Sequence, residues 1–234
     1  MSEHIAKQFD ADLENIRSRV LQMGGLVEQQ IVRAFDALEN GDLMLADEVV
    51  ATDHDVNRQE VELDEACAHL IARRQPAASD LRLIMAVIKT ITDLERVGDE
   101  AKKVAKRART LHSGDMPFVP RIELRHGANV AIDMLRKALD AFARTDPTVS
   151  AQIARQDKEV DAEFKASMRQ LITFMMEDPR TISSSLELLF IAKAVERIGD
   201  HAKNISEYVV YMVKGRDVRH IGLEAIEREV ASGN

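Results

Sequence analysis

Two short strings carry the most chemically suggestive spacing in this chain: Glu95-Arg-Val-Gly-Asp99 and Glu196-Arg-Ile-Gly-Asp200. On an α-helix, residues four apart lie about 40° from each other and roughly 6 Å along the axis, so each pair of carboxylates shares one face. The apolar stripe Ile84, Ile88 and Ile91 leads directly into Glu95 and Asp99, and Leu189 and Ala192 lead into Glu196 and Asp200. An earlier segment does the same. Asp53 falls between Val49 and Val56, Asp157 between Ile153 and Val160, and Asn57 and Asp161 follow one turn later. Acids therefore stand where the helical period asks for aliphatic side chains. Burying like-charged carboxylates costs several kcal/mol unless positive charge is placed with them.

Three partners for these acids are open at this point. Arg96 and Arg197 follow the glutamates directly and would neutralise them in a metal-free scaffold. Solvent is the second, since most Glu-xxx-Asp pairs on helices simply face water. The third is a metal ion, held by carboxylates converging from neighbouring helices. Gly98 and Gly199 lie inside both strings, where glycine costs a helix about 0.8–1 kcal/mol relative to alanine. That repeated cost points to close backbone approach or room for a ligand and favours the metal. Hard oxygen donors suit magnesium, manganese, calcium or iron, and His201 beside Asp200 keeps zinc open. A ferritin-like carboxylate oxidase would need paired Glu-xx-His motifs, which neither string provides.

The elements that must position these residues are long helices. Gly41, Gln75-Pro76, the 114–120 stretch, Asp146-Pro147 and Asp178-Pro179 break the chain into segments rich in helix formers. Val49, Val56, Leu63, Cys67 and Leu70 trace one helix face. The pattern predicts six helices near 5–40, 42–73, 79–112, 119–145, 147–176 and 182–214. At 1.5 Å per residue each is roughly 40–50 Å long, and short elbows make them antiparallel. Gly24-Gly25 is a candidate kink in the first, and the tail 216–234 a candidate short helix.

The chain is also an internal duplication. Asp53 to Asn57 matches Asp157 to Asp161 at an offset of 104, Pro76 matches Pro179 at 103, and the two Glu-Arg-x-Gly-Asp strings match at 101. The fold class is therefore all-α: two tandem, structurally similar three-helix bundles with pseudo-twofold symmetry. The expected units are 1–114, 115–215 and the tail 216–234.

Composition narrows the function. With 32 basic and 40 acidic residues the net charge is −8, which argues against non-specific nucleic-acid binding. Aromatics make up 4%, too few for base-stacking platforms. A single cysteine excludes an intrachain disulfide framework, and the absence of a long apolar run or signal core predicts a cytoplasmic protein without membrane insertion. No nucleophile–base constellation or glycine-rich phosphate cradle is present, so no enzyme is expected. Glu123-xx-His126 has no second copy and reads as surface chemistry, and Cys67 reads as a buried small hydrophobe. Arg73, Arg74 and Arg82 near the elbow are candidates for meeting an acidic partner; no concentrated basic pocket is evident in the order of residues.

The string Arg74-Gln-Pro-Ala-Ala-Ser-Asp80-Leu-Arg82, the two Glu-Arg-(Val/Ile)-Gly-Asp strings and the duplicated layout resemble the PhoU family over nearly the whole chain. That resemblance implies a cytoplasmic, usually homodimeric negative regulator of the phosphate-starvation regulon and of phosphate uptake. Its implied partners are the ATPase subunit of the phosphate ABC transporter and a phosphate-sensing histidine kinase. The family's metal motifs, which take iron, zinc or other divalent ions, map onto Glu95, Asp99, Glu196 and Asp200. Asp53, Asn57, Asp157 and Asp161 are the expected co-ligands. Glu177-Asp-Pro-Arg-Thr replaces Arg74-Gln-Pro-Ala-Ala in the second copy, so any role of the basic elbow should be asymmetric.

Overall fold

A computed structural model of the chain describes residues 2–114, 116, 118–219, 221 and 223–231. The long runs of helix formers become α1 (Ser2–Asn40), α2 (Leu43–Arg74), α3 (Ala78–His112), α4 (Arg125–Arg144), α5 (Ser150–Glu177) and α6 (Ile182–Lys214). A short α7 (Leu223–Ala231) follows within the tail, of which residues 220, 222 and 232–234 lie outside the described residues.

The elbows obey local chemistry. Gly41, at φ 66°, turns the chain out of α1, and the Asp42 side chain accepts a 3.0 Å hydrogen bond from the Leu45 N–H to cap α2. Gly215, at φ 71°, closes α6 by donating its N–H to the Tyr211 carbonyl. Two boundaries depart from the periodic reading. α4 starts at Arg125 rather than 119, because Pro120 offers no backbone donor and holds Val119 away from the helical region. Glu123 then accepts from the His126 N–H at 3.2 Å, so Glu123-xx-His126 is a helix-start contact. A single 3₁₀ turn, Pro147–Val149, precedes α5.

α1–α3 and α4–α6 form two three-helix bundles related by approximate twofold symmetry. α3 and α6 are the central pair, and α1 also meets α4 across the repeat boundary. Met23, Ile31, Phe35, Leu63, Ile84 and Ile91 fill the first half of one continuous core; Met134, Phe142, Ile153 and Leu171 fill the second. Cys67 lies in that core, and burial pushes its thiol up to about 12. α1 runs through Gly24-Gly25 without a break. Gly24 is instead a contact point: a Cβ there would sit 2.6 Å from Leu139 Cδ1 of α4. At the other end of the boundary, Arg125 donates to Asp36 and Glu39 of α1 at 2.7 and 2.6 Å. Among the described residues no helix is long and apolar enough to cross a membrane.

Candidate functional site

In the first repeat, α2 and α3 meet at Gly98, where an added Cβ would lie 3.2 Å from Gln30 Oε1 and 3.4 Å from Val56 Cγ1. This approach places the acids of α2 beside those of α3. Lys102 Nζ of α3 donates to Asp53 Oδ2 at 2.6 Å and lies 3.6 Å from Asp99 Oδ1. Asp53 is 1% exposed. Its other oxygen and Asn57 Oδ1 are buried without a hydrogen-bond partner. Half-buried Glu95 has its carboxyl pushed above the usual range by burial, then by the charges of Asp99, Glu60 and Asp53. Burial also raises Glu60, against a hydrogen bond from Thr92. Glu60 is thus a member of this seam that the stripe pattern missed; its place one turn beyond Asn57 was the available signal.

The second seam has the same frame and a different balance. Lys203 Nζ donates to Asp157 Oδ2 at 2.7 Å. Asp200 is raised by desolvation and by the neighbouring Glu196 and Asp157 carboxylates. Glu196, however, has its own cation: Lys193 Nζ reaches both of its oxygens, at 2.6 and 2.5 Å. At the position of Lys193 the first repeat has Thr92, and at that of Glu60 the second has Phe164. Lys193 also lies 5.3 Å from the Phe164 ring centre. Asp161 sits half-buried one turn beyond Asp157.

Two expectations change. The cations paired with the seam aspartates are lysines, not Arg96 and Arg197; Arg96, whose charge still acts on Glu95 and Glu60, stands 3.9 Å from Asp93, and Arg197 3.2 Å from Glu100 at the boundary between repeats. Lys102 and Lys203 were legible all along, since both strings extend to Glu-Arg-(Val/Ile)-Gly-Asp-x-Ala-Lys. The glycines mark helix approach rather than ligand room, Gly199 meeting Val160 and Met134 as Gly98 meets Val56 and Gln30. His201 turns away from the second seam, its Nδ1 2.7 Å from Asp93 Oδ1 in the α3–α6 interface. Tyr208 adjoins that pair, its hydroxyl held up by burial and by hydrogen bonding to Asp93.

The residues expected to hold metal are therefore gathered into two seams. Among the described residues, though, no three His, Cys, Asp or Glu side chains form a group that could hold one ion. The donor chemistry of the first seam nevertheless fits a hard cation: two orphaned buried oxygens, on Asp53 and Asn57, and Glu95, which makes no ion pair among the described residues. Lys102 now supplies the charge that such an ion would bring.

Arg73 and Arg74 line a groove of about 200 Å³ between α1 and the end of α2, together with Asp12, Asn15, Arg19 and His69. Arg82 does not line it; its guanidinium packs beside Gly215 at the end of α6, with Nε buried and unpartnered.

A helical bundle duplicated in tandem, with one acid–lysine seam per half, defines a class of helical repeat proteins. The PhoU domain model matches this chain twice, over residues 20–108 and 124–209, and the chain belongs to the PhoU family. A "Phosphate-specific transport system accessory protein PhoU homolog" of Pseudomonas aeruginosa is 49% identical over 231 residues, covering 98% of this chain and 95% of that protein. The "Phosphate-specific transport system accessory protein PhoU" of Escherichia coli K12 is 47% identical, covering 99% of this chain and 95% of that protein. The crystal structure of PhoU from P. aeruginosa superposes with a TM-score of 0.84 at 49% identity, over 89% of this chain and all of that one. The phosphate transport system regulatory protein PhoU from Streptococcus pneumoniae gives 0.83 at 28% identity, over 90% of this chain and 99% of that one.

Proposed function

We propose that this chain is a cytoplasmic, non-enzymatic regulator of phosphate uptake. It would hold the phosphate-starvation regulon off when phosphate is plentiful, by linking the ATPase subunit of the phosphate ABC transporter to the sensor histidine kinase. Its end-to-end similarity to accessory proteins of phosphate-specific transport carries this reading. Long helical surfaces, presented as a homodimer, are the means of engaging both partners. The decisive experiment removes the gene from its own host. The deletion strain should express starvation genes in phosphate-rich medium, and the wild-type chain on a plasmid should silence them again. A deletion strain that still silences those genes would sink the regulatory role.

We further propose that Glu95, Asp99, Asp53 and Asn57 hold a divalent or trivalent ion (iron, manganese, magnesium or zinc), with Lys102 giving way to it. Such an ion would pin α2 to α3 and set the shape of the helical surface that a partner meets. The metal-free scaffold is the competing reading, and Lys102 and Lys203 on the buried aspartates favour it. Elemental analysis of protein purified without affinity-tag metals separates the two. Bound metal that Glu95→Ala abolishes supports the centre, whereas metal-free protein supports the scaffold.

A further inference from the structure

The groove between α1 and α2 gathers basic groups that lie far apart in sequence. α1 contributes Arg19 and the single acid of the lining, Asp12, and the last turns of α2 contribute His69, Arg73 and Arg74. In a chain of net charge −8 this is a local reversal of sign. The cations there are incompletely matched. Arg73 makes no ion pair among the described residues. Among the described residues Arg74 has a 3.8 Å contact with Asp12, and Arg19 is shared with Glu62 at 2.9 Å. Nor is the groove a by-product of the repeated fold. The elbow offset of 103 puts Met176 at the place of Arg73 and Glu177 at that of Arg74.

We propose that this groove binds a phosphoryl group through Arg19, His69, Arg73 and Arg74. A lone carboxylate needs one arginine, as elsewhere in this chain: Arg180 serves both oxygens of Asp178, and Arg219 both oxygens of Asp217. Three guanidinium groups and an imidazole offer more donors than a carboxylate accepts. A phosphate near charge −2, with oxygens directed several ways, uses them. The groove volume of about 200 Å³ admits such a group. Orthophosphate in solution and a phosphorylated side chain on a protein present the same chemistry, and the site suits both.

The test is calorimetric titration of the full chain, stripped of metal with a chelator, at low ionic strength. Inorganic phosphate is one probe and a phosphoserine peptide the other. Saturable binding of either is expected, weakened about tenfold by Arg73→Ala. Arg169→Ala, on the exposed face of α5, should change nothing. Arg73 is exposed, so its truncation leaves the fold intact, and an unchanged melting curve confirms this. Binding of phosphate assigns the groove to the free ion; binding of the peptide alone assigns it to a modified partner. Binding of neither, or binding that Arg73→Ala leaves untouched, overturns the proposal.

Discussion

Lysine 193 is the single side chain that most separates the two seams. It neutralises Glu196 from within the same helix, whereas Glu95, among the described residues, makes no such ion pair and is raised by Asp99, Glu60 and Asp53 against the charge of Arg96. Replacing Lys193 with alanine should leave Glu196 in the condition of Glu95. If the first seam holds an ion, metal content should then rise from one towards two per chain, measured by elemental analysis. A second residue reports on burial. Glu207 is 4% exposed, and desolvation pushes its carboxyl up to about 7 against the attraction of Lys203. A carboxyl raised in the folded state binds more protons than the unfolded chain between its ordinary value of 4.5 and about 7, so stability falls as pH rises through that window. Glu207→Gln should melt like the wild type at pH 4 and higher than the wild type at pH 8. Equal melting temperatures at pH 8 would contradict the desolvation.

At the scale of the helix, neighbouring glycines have opposite jobs. A Cβ at Gly24 would meet Leu139 Cδ1 at 2.6 Å, whereas at Gly25 nothing lies within 4 Å. Gly24→Ala should therefore push α1 from α4 and cost about 1–3 kcal/mol. Gly25→Ala should gain up to about 1 kcal/mol from helix propensity alone. Urea midpoints moving in opposite directions are the expected result. The two seam glycines divide more gently. Gly199→Ala makes ordinary contacts of 3.5 Å or more, while Gly98→Ala must displace the buried Gln30 amide at 3.2 Å. Gly199→Ala should be the more stable variant by the same measurement. The sequence signalled a cost at both places, but the neighbours across the interface decide what each glycine is for.

Across the whole molecule the two repeats depend on each other. α3 buries Asp93 and Glu100 against α6, where the other repeat adds His201 to Asp93 at 2.7 Å and Arg197 to Glu100 at 3.2 Å. Residues 1–114 expressed alone would expose the inner face of α3, leaving Asp93 with only its 3.9 Å contact to Arg96 and Glu100 with Lys103 among the described residues, and would lose the core that α3 shares with α6. The fragment should lack a cooperative thermal transition by circular dichroism, whereas the full chain should show one.

Much of this was written along the chain. Apolar periodicity, proline and glycine breaks and the hundred-residue offset determine six helices, their duplication and the face that carries Asp53, Glu95, Asp157 and Glu196, because those signals are local. Three-dimensional packing alone decides which cation answers which acid. Arg96 and Arg197 stand beside the glutamates in sequence, yet a neighbouring residue on a helix points about 100° away, so their ion pairs are with Asp93 and Glu100 while Lys102 and Lys203 pair with the seam aspartates. The same reason hid the basic groove. Arg19 lies more than fifty residues before Arg73 and Arg74, and only the folding of α1 along α2 brings them to one place.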